Sequence, residues 1–263
     1  MMVVPDDLKP PNRQLLLKEF GCLLDVPRLW MSAPFLACAP RGDGHTVMVL
    51  PGLSVDDSST FTIRRFLKYL GYDAHGWGQG RNVRGLRHYD EVLAKRLEEM
   101  YAHHNAPISL IGWSRGGILA RELARNHPKQ VRQVITLGSP FMNPLATNTN
   151  LLKQWFGGNY PIFATEVSKL SEAQQDRVVK MRQPLPMPAT AVYTRSDGVA
   201  AWQSCLEPDS AKTENIEVLT THAGLVFHSS VLWAIADRLA QPINKWRRFR
   251  PPRVAKTLYP HFG

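Results

Sequence analysis

A serine stands between two glycines in Gly112-Trp113-Ser114-Arg115-Gly116, directly after the apolar run Ile108–Ile111 and just before the helical segment ILARELARNH. A strand, a sharp turn and a helix in that order lift a serine Oγ above the strand end. Its backbone is strained there, and glycine two residues to either side lets strand and helix approach closely. A hydroxyl so placed can attack a carbonyl carbon if a base takes its proton. The chemistry this spacing suggests is acyl transfer through a covalent intermediate on Ser114.

On a turn of this kind the partners are expected in the order serine, acid, histidine along the chain. Two acids follow the late strand ATAVYT closely enough to sit at its carboxyl end: Asp197 in TRSDGVA, and the more distant Glu207. Asp197 is preferred, since its turn lies at the strand's carboxyl end; as an Asp-Gly pair it also reads as an ordinary turn residue. Of the 9 histidines, His45, His75, His88, His103, His104 and His127 precede the acid, and His261 lies in the tail. His222 follows the run NIEVLT and is the expected base, while His228 reads as flanking a helix start. The developing oxyanion needs donors, expected from the backbone N–H of Arg115 and from that of Leu53 in the loop Pro51-Gly52-Leu53 after TVMVL. The side chains of Trp113 and Arg115 read equally as packing around the turn and as touching substrate.

Elements must hold these residues at one edge. Short β-branched runs occur at Thr46–Leu50, Tyr72–His75, Ile108–Ile111, Val131–Leu137, Ala189–Tyr193 and Ile216–Thr220, and each reads as a buried parallel strand. Helical periods at Phe61–Leu70, His88–His104, Ile118–His127 and Val231–Ala240 alternate with them. The pattern implies an α/β fold with a mostly parallel, doubly wound sheet and a site at the strands' carboxyl ends. Residues 45–140 and 186–240 form its expected core.

Three segments stand outside the alternation. Residues 1–44 carry an amphipathic stretch, Gln14–Leu24, and a Pro-rich apolar passage; they are expected to pack on the core, with membrane or subunit contact as the alternative. Residues 141–185 form an insertion far longer than an ordinary connection, which suggests a lid. Helical candidates there are Leu151–Phe156 and Glu172–Met181. Leu151, Leu152, Trp155, Phe156, Tyr160 and Phe163 make it apolar, suiting either a hydrophobic substrate group or packing against the core. Residues 241–263 form a tail with six Lys/Arg and no acid.

LPGL, GWSRGG, SDGVA and THAGL, in this order and at these strand ends, resemble the bacterial serine esterases and lipases of the α/β-hydrolase superfamily, over roughly residues 45–240 apart from the insertion. The resemblance implies the α/β-hydrolase fold, with Ser114 as nucleophile, His222 as general base and acid, Asp197 orienting it, and Leu53 and Arg115 as oxyanion donors. The implied activity is hydrolysis of a small hydrophobic carboxylic ester. Acyl transfer to an alcohol or amine, and a non-catalytic hydrolase-fold protein that binds a lipid or partner, are the alternatives. The chain departs from many relatives in Pro51-Gly52, where they have His-Gly, and in Trp113.

No Gly-rich phosphate cradle, dinucleotide fingerprint or zinc spacing is present in the sequence, so cofactor-free and metal-free chemistry is expected. The 44% hydrophobic content excludes a disordered chain. The N-terminal MMVVPDDLKPPNRQ lacks the basic and apolar regions of a signal peptide, and Cys22, Cys38 and Cys205 have no disulfide pattern, so a cytoplasmic location is expected. A net charge of +10 raises the question of an anionic partner. Yet residues 1–240 hold 26 of the 32 basic residues against all 22 acids, a balance of only +4. Lys245, Arg247, Arg248, Arg250, Arg253 and Lys256 carry the rest. They suggest weak contact with an anionic membrane surface, against a solvated or core-packed tail anchored by Trp246 and Phe249 as the plainer reading; no nucleic-acid role is implied.

Overall fold

The computed structural model describes residues 6–148, 167–243 and 245–260. Among these, six strands pair in one parallel sheet in the order β2-β1-β3-β4-β5-β6. They are β1 (Thr46–Leu50), β2 (Asp73–Gly76), β3 (Ile108–Trp113), β4 (Val131–Leu137), β5 (Ala189–Tyr193) and β6 (Thr213–Glu217). The order turns back between β1 and β3, so the crevice of an open parallel sheet falls between the loops that follow these two strands.

Each face of the sheet has its own core because side chains alternate along a strand. Val47 and Val49 of β1 join Ile63 and Leu67 of α4 (Phe61–Leu70) and Ile235 of a late helix. Met48 and Leu50 point the other way, to Leu93 and Leu97 of α5 (Leu86–His104) and to Ile118 of α6 (Arg115–Asn126). All of these are essentially inaccessible to water. Each is worth about 1.5–3 kcal/mol of burial, which makes the sheet a firm base for its loops.

β6 differs from its expected range: it runs Thr213–Glu217, three residues before Ile216–Thr220. Its first residues are polar but buried, since Glu214 accepts from the guanidinium of Arg238 and, at 2.6 Å, from the N–H of Phe249. A buried carboxylate satisfied from distant parts of the chain leaves no hydrophobic signal.

The N-terminal part holds α1 (Arg13–Lys18), a 3-10 turn at Glu19–Leu24, α2 (Asp25–Met31) and α3 (Ala33–Ala37). Phe35 of α3 stacks on Trp233 at 4.3 Å between ring centres. In the long connection between β4 and β5, residues 141–147 are buried, and α7 (Glu172–Arg182) joins α6 through Arg177 and Glu122 at 3.6 Å. The helical candidate Leu151–Phe156 and the apolar residues Leu151, Leu152, Trp155, Phe156, Tyr160 and Phe163 lie outside the described residues, as does His261.

Helix α8 (Ser229–Leu239) precedes the C-terminal tail. His228 is its N-cap, its side chain accepting from the N–H of Ser230. The tail returns to the core: Phe249 and Tyr259 are buried, and the Tyr259 hydroxyl donates to Ser230 O at 2.7 Å. Its six basic residues all remain exposed. Cys22, Cys38 and Cys205 are free, and no described helix is long and apolar enough to cross a membrane.

Candidate active site

Ser114 lies where β3 ends and α6 begins, with φ 53° and ψ −124°, a combination that L-residues adopt only at a cost of about 1–3 kcal/mol. Its flanking glycines are closely packed. A Cβ on Gly112 would collide with the Cα of Gly117, and one on Gly116 with the carbonyl of Leu50, so helix and sheet meet backbone to backbone. The N–H of Ser114 donates to Leu137 O at 2.8 Å, fixing the turn to β4.

The acid and the histidine come together from the two strands farther along the sheet. Asp197 Oδ2 and His222 Nδ1 are 2.6 Å apart, and both side chains are buried. Asp197 Oδ1 accepts from the N–H groups of Val199 at 2.8 Å and Ala200 at 2.7 Å, so its own loop holds the carboxylate in position. Burial pushes the His222 imidazole toward its neutral form. The Asp197 charge, its hydrogen bond and the charge of Glu19 together outweigh this and raise its pKa above the ordinary histidine value.

Glu207 is engaged elsewhere, in a buried ion pair with Arg121 of α6. Ser114 Oγ makes no hydrogen bond to His222 among the described residues. The elbow and the histidine are nevertheless linked: Trp113 Nε1 donates to the His222 carbonyl at 3.1 Å, and the two rings lie 5.7 Å apart.

The loop after β1 and the start of α6 share one fastening, Asn82. Its side-chain NH2 donates to Pro51 O at 2.9 Å, and its backbone exchanges hydrogen bonds with Ser54 and Val55. Its carbonyl accepts from the Arg115 guanidinium at 3.3 Å, and Arg84 O accepts from the same group. The Arg115 side chain is thus buried and structural, and burial pushes its pKa down to about 10. Among the described residues, the N–H groups of Leu53 and Arg115 reach no acceptor, as the first donors of a helix and of a tight loop commonly do not.

Three residues here carried no signal in the sequence. Gly138, at the end of β4, has φ +55°, and a Cβ on it would stand 3.0 Å from His222 Nδ1 and 3.2 Å from Asp197 Oδ2. Asn82 and Glu19 act through hydrogen bonds to distant loops. A turn glycine or a helical glutamate looks the same in sequence whether or not such a bond exists.

A second Ser-His-Asp chain also exists. His45 Nε2 lies 2.9 Å from Ser109 Oγ, and its Nδ1 meets Asp43. Ser109 lies within β3 and is wholly buried, so no substrate could reach it. Asp73, His75 and His104 are the described groups that could converge on a metal ion; they gather at the amino end of β2, away from Ser114.

A sequence family described as the alpha/beta hydrolase fold matches residues 70–169. The structure of Aspergillus fumigatus lipase B aligns with a TM-score of 0.55 at 17% identity, over 80% of this chain and 56% of that one. The chain has the α/β-hydrolase fold. This hydrolase-fold chain also aligns with Bacillus licheniformis lipase BlEst2 (TM-score 0.54, 16% identity, 78% of this chain and 93% of that one). A metagenome-derived structure from work on the lipolytic enzymes LipS and LipT aligns with a TM-score of 0.53 at 14% identity, over 76% and 93% of the two chains. The chain spans little more than half the length of the fungal lipase, 56%. No curated protein matches it by sequence.

Proposed function

We propose that the protein is a serine carboxylic-ester hydrolase acting on a small hydrophobic ester. The observation that carries this reading is the buried 2.6 Å contact of Asp197 with His222 Nδ1, in a loop that Trp113 ties to the strained serine turn at the end of β3. With Nδ1 committed to the carboxylate, Nε2 is the nitrogen left to accept the Ser114 proton. Ser114 Oγ attacks the ester carbonyl, and the N–H groups of Leu53 and Arg115 hold the oxyanion. His222 returns the proton to the leaving alcohol, then activates water to release the acid from the acyl-enzyme. The gap between Ser114 and His222 closes as substrate binds, in keeping with the long catalytic hydrogen bonds common in unliganded enzymes. The exposed cations of the tail would add weak contact with an anionic membrane surface.

The test is turnover of 4-nitrophenyl esters of rising acyl length by wild type and Ser114→Ala, with and without an added alcohol. Wild-type turnover that disappears in Ser114→Ala is the expected result. Equal turnover in both would sink the proposal, and an ester as main product in the presence of alcohol would turn it into acyl transfer.

A further inference from the structure

The Glu19 carboxylate bridges the two loops that carry Asp197 and His222. Oε1 accepts from the N–H of Gly198, the residue after Asp197, at 2.8 Å and from the N–H of His222 at 3.1 Å. Oε2 accepts from the N–H of Ala223 at 2.9 Å. These three donors come from loops after two different strands, and the acceptor comes from a segment before the first strand.

The neighbouring contacts run along the same path. The Asn148 amide NH2 donates to Pro11 O and to Gly198 O, both at 2.8 Å. A Cβ on Gly198 would collide with the carbonyl of Leu15. Farther on, the Thr220 hydroxyl donates to Asp25 Oδ2 at 2.9 Å. Residues 11–25 therefore run as a strap over the acid and histidine loops, with Glu19 at its crossing point.

We propose that Glu19 is a positioning residue: its carboxylate fixes the separation of the Asp197 and His222 loops and places a second negative charge beside the pair. This rests on reading Asp197 and His222 as the acid and base of the site. A carboxylate taking three N–H donors is held by charge-assisted bonds, each about twice as strong as a neutral one. Removing it frees two loops at once. Among the described residues, the charged groups facing His222 are Asp197 from the loop after β5 and Glu19 from the strap, with the neutral Trp113 of the elbow beside the ring. Asp25 lies one step away, on Thr220, where Arg28 pairs with it at 3.1 Å. Glu19 is thus the second anion of the pair's surroundings, and its charge bears on the imidazole alongside that of Asp197.

Glu19→Gln keeps an oxygen acceptor and loses the charge, whereas Glu19→Ala loses both. The pH dependence of kcat/KM on a 4-nitrophenyl ester and the imidazole NMR titration of His222 should be measured in wild type and Glu19→Gln. Both should move to lower pH by about half a unit or more in the variant. Glu19→Ala should lose tenfold or more in kcat, with KM within about twofold. An unmoved titration in a folded Glu19→Gln overturns the proposal, as does wild-type kcat in Glu19→Ala. The NMR titration reads His222 without turnover, and Ser114→Ala run alongside separates the cases. If Ser114→Ala matches wild type, the hydrolase reading fails; if it is inactive while the His222 titration is unmoved, only the role of Glu19 fails.

Discussion

Trp113 donates its indole N–H to the carbonyl of His222 at 3.1 Å, tying the residue before the serine to the histidine across a chain separation of 109 residues. A rigid elbow thereby fixes the backbone of a loop that would otherwise depend on its own turn. Trp113→Phe keeps a ring against the imidazole and loses the donor. A hydrogen bond of this kind contributes about 0.5–1.5 kcal/mol, so kcat/KM for a chromogenic ester should fall roughly three- to tenfold. Steady-state kinetics at the pH optimum check this.

The two acids after β5 should separate cleanly. Asp197→Asn leaves the histidine with the wrong hydrogen-bond partner, and kcat should fall by about 10³ to 10⁴ with the fold retained. Glu207→Gln instead leaves the buried Arg121 cation without its partner. That should cost about 3–5 kcal/mol of stability, while kcat of the folded protein stays within about twofold of wild type. Denaturant unfolding and ester kinetics on the same two preparations decide the matter.

On the proposed mechanism, the raised pKa of His222 sets the acid limb of the rate profile. A base must be neutral to accept the serine proton, so kcat/KM should drop as pH falls through a value above the ordinary histidine value of about 6.5. The same shift means that the folded state holds this proton more tightly than the unfolded chain. Its contribution to stability is present in full below the unfolded-state value and is lost as pH rises through the folded-state one. A one-proton kinetic limb at or below pH 6 would contradict the raised value.

Gly138→Ala tests the floor of the site. The substitution puts a side chain at φ +55°, a strain of about 1–3 kcal/mol, and a methyl group against Leu225 Cδ1 and, next nearest, His222 Nδ1 and Asp197 Oδ2. Activity should suffer more than stability, by about tenfold or more in kcat against a fall of a few degrees in Tm.

The tail makes a separate prediction. The triple variant Arg250→Glu, Arg253→Glu and Lys256→Glu changes only exposed side chains, leaving Phe249 and Tyr259 in the core. Binding to phosphatidylserine vesicles at low salt should weaken at least tenfold, since each cation near such a surface is worth about 1 kcal/mol. Equal binding by wild type and variant in a sedimentation assay would remove the membrane contact.

What the sequence made legible follows from how local each constraint is. The glycines around Ser114 were readable because only glycine permits the meeting of β3 and α6, a demand made within a few residues. Asp197 and His222 were readable as the acid and the histidine that follow the last two strands in the required order. Glu19 was not, because its partners lie 179 to 204 positions away and its segment shows only an amphipathic period. The start of β6 was missed for a related reason: Glu214 is buried only because Arg238 and Phe249 return to meet it.

The strap has a consequence for synthesis. Glu19 leaves the ribosome long before Gly198, His222 and Ala223 exist, so a nascent chain carries the clamp with nothing to hold. The elbow and the first three strands can assemble earlier from contacts closer in sequence, and the loop-closing entropy of the strap is met only at the end. Reactive competence should therefore arise late, after most of the sheet is in place, and an incomplete chain with a well-formed Ser114 turn would remain chemically silent.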